Sequence, residues 1–193
     1  MEKKYHFSKT IKINVVCIFT MLIKENLQKV KMSNAFFDWN KSHPNAYLVH
    51  LFFMSGSDAR WQVGYYDDNE KEMSSFILQG EDNIIMQPEK DVFREDNEAI
   101  RPLVIDDVKL DYDDIQEKAE NYQKENYPSE FPLKKIYVLQ NLKESGQVWN
   151  ITVFSKTFKT LNMKFNAANG ELESHDLANL FEFEKGNANQ TEE

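Results

Sequence analysis

Between residues 147 and 154 apolar and polar side chains alternate, with Trp149, Ile151 and Val153 on one face and Val148, Asn150, Thr152 and Phe154 on the other. Period two is the mark of a strand with one face turned into a core. A second stretch has the same form, Leu161, Met163 and Phe165 alternating with Asn162, Lys164 and Asn166. It runs into Ala168-Asn169-Gly170, where the glycine can take the positive φ of a hairpin turn. The two stretches predict an antiparallel pair with an aromatic-aliphatic inner face.

The rest of the chain yields to the same reading. Leu22, Leu27 and Val30 fall at helical spacing, predicting a helix over 22–41 with a break at Ser33-Asn34. His43-Pro44 ends it, because the residue before proline is pushed out of the α region. Strand-like runs follow at 46–54, 60–66 and 73–79, separated by polar turns, and a short run at 84–86 is stopped by Pro88. A charged connector, 89–110, contains Val92, Phe93 and Leu103-Val104-Ile105. Asp111 then reads as an N-cap with Asp113 and Asp114 in the first turn, opening a helix to about Asn126. Strands are predicted at 133–142, 147–154 and 161–166, with a short one near 171–175. Residues 180–183 either close the sheet or pack beneath it.

Laid side by side, the halves match: 46–54 with 133–142, Trp61-Gln62-Val63 with Trp149-Asn150-Ile151, and 73–79 with 161–166. The expected fold class is α+β, with two repeated units, each a helix packed on an antiparallel β-meander. The expected boundaries are an N-terminal extension (1–20), a first unit (21–88), a connector (89–110), a second unit (111–183) and a disordered tail (184–193). The alternative is that the units join edges into one larger sheet with both helices on one side.

Composition narrows the function classes. Hydrophobic residues make up 41% of the 193, enough for a packed core. Residues 1–31 hold seven lysines against Glu2 and Glu25, so the net charge of −9 leaves −14 on the remainder. A body that acidic repels a phosphate backbone, and no nucleic-acid partner is expected. The single cysteine, Cys17, excludes an intramolecular disulfide and a cysteine zinc site, and reads as a small buried hydrophobe. No run reaches the ~18 apolar residues of a membrane span. Residues 11–23, preceded by Lys3, Lys4 and Lys9, resemble a weak signal-peptide core, interrupted by Lys12, Asn14 and Thr20. A cytoplasmic location is expected, with secretion or the cell envelope as the alternative.

A helix, then strands of the form x-Trp-x-Val/Ile-x-Val, then a strand ending in Asn/Asp-Ala-x-x-Gly-Glu-Leu/Val, resembles the PepSY domain. The residues that carry the resemblance are Trp149-Asn150-Ile151-Thr152-Val153 and Phe165-Asn166-Ala167-Ala168-Asn169-Gly170-Glu171-Leu172. The match covers 111–177, with a degraded copy around Trp61-Gln62-Val63-Gly64-Tyr65. The resemblance implies a cystatin-like α+β fold and a non-catalytic binding or inhibitory module.

Candidate chemistry is thin. Counting a calcium loop from Asp111 puts Ile115 at position 5 and Gln116 at position 6, where an oxygen ligand and a glycine are required. His6, His43, His50 and His175 lack paired metal-site spacing, and no nucleophile motif or phosphate-binding glycine loop accompanies them. No metal, no cofactor and no catalysis are expected. Aromatic residues on both faces of 46–54 and 60–66 point to a second buried face, a dimer surface or a ligand groove, and His50, Trp61 and Tyr65 are the candidate ligand-binding residues. The expected function is binding of a protein or peptide by strand addition. The alternative is a small-molecule binder or enzyme with a pocket between helix and curved sheet, and a homodimer is a third option.

Overall fold

The computed structural model describes residues 23–57, 59–80, 83–89 and 100–180. Cys17, His6, Val92, Phe93, the N-terminal extension, 181–183 and the 184–193 tail fall outside them. Helices α1 (Ile23–Met32) and α2 (Asn34–Asn40) precede strands β1 (Tyr47–Met54), β2 (Arg60–Asp67), β3 (Glu72–Leu78) and β4 (Ile84–Glu89). Helix α3 (Tyr112–Asn126) then leads into β5 (Pro132–Leu142), β6 (Gly146–Ser155), β7 (Lys159–Asn166) and β8 (Leu172–Asn179). The alternation of Trp149, Ile151 and Val153 appears as predicted in β6, all three on the covered face and nearly inaccessible.

All eight strands belong to one antiparallel sheet, ordered β4-β3-β2-β1-β5-β6-β7-β8. This corrects the expected fold class of two repeated helix-plus-meander units. Strand β1 pairs β2 along one edge and β5 along the other, from His50↔Gln140 to Met54↔Ile136. The joint is closed at Ser55, whose N–H donates to the Lys135 carbonyl (2.9 Å) and whose Oγ accepts from the Lys135 N–H (2.8 Å). Period two tells which face of a strand is buried, but it does not tell which edge is taken.

Nor does each helix keep to its own strands. The Tyr112 ring at the start of α3 meets Phe53 and Trp61 on one side of the joint (centroids 4.8 and 5.6 Å) and Tyr137 on the other (4.9 Å). The Asp111 carboxylate fixes two helices at once. Its Oδ1 accepts from Tyr112 N–H (2.8 Å) and from Ile23 N–H at the start of α1 (3.0 Å), while Asp114 completes a capping box. Unsatisfied N–H groups and the positive dipole ends of α1 and α3 thus share one carboxylate. Burial nevertheless pushes that carboxyl's pKa up, against the hydrogen bonds that lower it.

The helices cover one face, and the main core lies there. Ile23, Leu27, Val30 and Ile115 pack against Leu51, Val63, Phe76, Leu139 and Ile151. A smaller cluster of Val49, Tyr66 and Met73 lies on the opposite face beside Tyr47 and Ile100. Its strand β1 is irregular between Leu48 and His50, and the Leu48 carbonyl accepts from Leu103 N–H (2.8 Å) on the incoming connector.

Two glycines are dictated by their surroundings. Gly170 has φ +72°, as its place in the turn requires, and lies under Leu110 and Lys118. Gly64 lies beneath His50, where a Cβ would come within 2.2 Å of the imidazole. Gly64→Ala is therefore expected to destabilise the fold by about 1–3 kcal/mol. The double variant Gly64→Ala/His50→Ala should recover much of that loss, read from urea unfolding midpoints in a double-mutant cycle.

Candidate functional site

Strand β4 ends the sheet, and among the described residues it pairs with β3 alone, from Leu78↔Ile84 to Met73↔Glu89. It continues through Pro88, opposite Ser74, although Pro88 was expected to stop it. A proline is tolerated there because an edge strand need not donate on both sides. Successive residues Ile85 and Met86 point to opposite faces and are 38% and 40% exposed. An edge of this kind usually carries charge or is covered. Here apolar side chains stand beside backbone that is unpaired among the described residues.

Helix α2 holds the neighbouring wall in place. Ser33 closes α1 by donating from Oγ to the Val30 carbonyl (2.7 Å) and opens α2 by accepting from Phe36 N–H (3.1 Å). This is the break expected at Ser33-Asn34. Phe36 packs on Trp39, Tyr65 and Phe76, and Trp39 donates from Nε1 to Ser74 Oγ on β3 (3.0 Å) while stacking on His43. Between the α1–α2 corner and the start of β4 runs an open groove of about 530 Å³, lined by Lys29, Met32, Ser33, Ala35, Asn83 and Ile84. A strand laid along β4 would direct alternate side chains toward that groove.

The three residues singled out from the sequence are not brought together. Trp61 and Tyr65 lie on the helix-covered face, each 5% exposed and enclosed by aromatic neighbours. Burial drives the Tyr65 phenol pKa far up, so it stays protonated. His50 lies on the opposite face over Gly64. The space between helices and sheet at these positions is filled by the core, and Trp61 and Tyr65 belong to it. The β4 edge was missed because a run of three apolar residues before a proline gives no sign that its other side is unpaired.

Two polar clusters anchor the far half of the sheet. Glu130, 3% exposed, accepts from the Thr157 hydroxyl and from Lys159 Nζ (3.2 Å), and its carbonyl accepts from Gln123 Nε2 (2.6 Å). The Tyr127 hydroxyl and His175 Nδ1 on β8 are 2.6 Å apart. Among the described residues no group of three or more histidines, cysteines, aspartates and glutamates is placed to hold a metal ion. No described helix is long and apolar enough to cross a membrane.

No family model matches the chain, and neither does any curated protein. A solved structure from Clostridium difficile 630, described as a "putative lipoprotein", is similar in fold, with a TM-score of 0.50 at 15% identity. The likeness covers 75% of this chain and 90% of that one. At this identity it concerns the fold alone.

The Glu130 cluster makes a pH prediction. The Thr157 hydrogen bond, with help from Ser155 and Lys159, holds the carboxyl below its usual 4.5 despite burial. A depressed carboxylate contributes stability that is present above 4.5 and is lost as pH falls through the lower folded value. The parent should therefore lose stability more steeply than Glu130→Gln on acidification below 4.5, compared by urea midpoints across the acid range.

Proposed function

We propose that the chain is a non-catalytic, PepSY-like binding module of the cell envelope, which receives an extended protein segment along β4. The observation that carries this reading is the β4 edge itself: backbone unpaired among the described residues, exposed Ile85 and Met86, and an adjoining groove walled by a firmly anchored helix. Main-chain hydrogen bonds would supply affinity, and the groove would select an apolar side chain at alternate positions. The opposite edge strand, β8, is less suited, since Glu173, His175 and Asp176 place polar and ionisable groups along it.

The PepSY-like part of the reading is supported by where the motif residues lie. Trp149 and Ile151 face the core from β6, and Ala168-Asn169-Gly170 forms the β7–β8 turn after helix α3. The envelope location is supported by the description of the similar fold as a lipoprotein and by the basic, then apolar, run near the start of the chain.

A peptide-display selection against the full chain, followed by amide mapping of a selected peptide, tests the reading. Binding should perturb and protect β4 amides while leaving β8 unchanged. Ile85→Lys/Met86→Lys should weaken it by about tenfold or more without changing thermal stability, because charge on an edge opposes addition. Selected peptides that map elsewhere, or that bind the variant equally, would contradict it.

A further inference from the structure

One end of the sheet combines exposed apolar side chains with basic ones, on a chain whose net charge is −9. Phe131, Leu133 and Phe158 are 61%, 65% and 60% exposed. They are neighbours: Pro132 is in register with Ser155, Lys156 N–H donates to the Phe131 carbonyl (2.9 Å), and Phe158 N–H closes the turn on Ser155 (3.2 Å). Lys134 and Lys156 are exposed in the same corner and make no ion pair among the described residues, and Arg60 is exposed at the same end of β2. The described carboxylates nearby, Glu120 and Glu130, are already held by Lys135 (2.6 Å) and Lys159 (3.2 Å). At the other end of the sheet, the β2–β3 turn carries Asp67, Asp68, Glu70 and Glu72 against Lys71. Among the described residues, this corner and that turn carry opposite charge at opposite ends of the sheet.

We propose that this corner is a contact site for an anionic lipid bilayer, with Phe131, Leu133 and Phe158 entering the interface and Lys134, Lys156 and Arg60 meeting lipid phosphates. Three features favour a bilayer over a protein partner. Leu133 and Phe158 project from a strand end and a turn, while Phe131 borders an open hollow of about 460 Å³ beside α3. Lysine is depleted at protein interfaces, whereas lysines around apolar side chains suit an anionic surface, their stems lying along the interface. The acidic turn is a strand length away, beyond the ~8 Å screening length at physiological salt, so the corner's own charge governs the approach. This site is separate from the β4 edge and stands without it.

Flotation of the full chain with phosphatidylcholine vesicles containing phosphatidylglycerol, against phosphatidylcholine alone, tests it. Binding is expected to the anionic vesicles and to fall as salt is raised. Lys134→Gln/Lys156→Gln should weaken it by roughly 30-fold, at the usual contribution of a lysine near such a surface. Phe131→Ser/Leu133→Ser should weaken it as well. The lysine pair is exposed and keeps the test decisive if the apolar variant misfolds, as thermal unfolding would reveal. No binding to anionic vesicles overturns the proposal. So does equal binding by the lysine variant, the result expected if the lysines of residues 1–22 did the work, or if the corner served a protein partner.

Discussion

The pairing of β1 with β5 is the constraint on which the rest of the structure depends. Five residue pairs from His50↔Gln140 to Met54↔Ile136, with the two Ser55–Lys135 bonds, occupy edges that two separate meanders would have left open. With those edges taken, the outer ones among the described residues fall on β4 and β8. The joint also creates a continuous face wide enough for Tyr112 to sit across it, touching Phe53, Trp61 and Tyr137 together. Asp111, one residue earlier, ties the start of α1 to the start of α3. The helix layer and the sheet are therefore fixed by the same few residues near the middle of the molecule.

The distribution of surface chemistry follows from that arrangement. Antiparallel order sends the β1–β2 and β6–β7 turns and the entry to β5 to one end, where Arg60, Lys134 and Lys156 collect. It sends the acidic β2–β3 turn to the other end. The apolar edge residues Ile85 and Met86 lie at the side, next to the groove under α2. An edge, a basic corner and an acidic end give the molecule separate surfaces for separate contacts. Strands β3, β2 and β1 lie between β4 and the β5 strand that carries Lys134, while Arg60, on β2, is separated from β4 by β3 alone.

Much of the local structure was legible because the physics that sets it is local. Alternation placed β5, β6 and β7 within one or two residues, Ser33-Asn34 marked the break between α1 and α2, and Asp111 with Asp114 announced α3. Gly170 was readable as a turn glycine from Asn169 before it and the strand pattern on either side. What was not legible is long-range. Nothing in residues 47–54 states that a second partner waits some eighty positions later, so the pattern could not choose between two separate meanders and units joined edge to edge in one sheet. Trp61 and Tyr65 belong to the core, and for a related reason they looked surplus only while the extent of the aromatic core was unknown. The β8 strand, expected near 171–175 alone, extends to Asn179 because β7 offers its full length as a template.

The most direct test of the account is the native-state hydrogen-exchange profile of the backbone amides. With β1–β5 as the central joint, amides of β1 and β5 should be among the slowest to exchange, opening only with global unfolding. Exchange should become faster outward, and the free side of β4 should be fast. If instead β1 and β5 exchanged as readily as an exposed edge, the two halves would not share one sheet and the assignment of β4 as a free edge would fall with it.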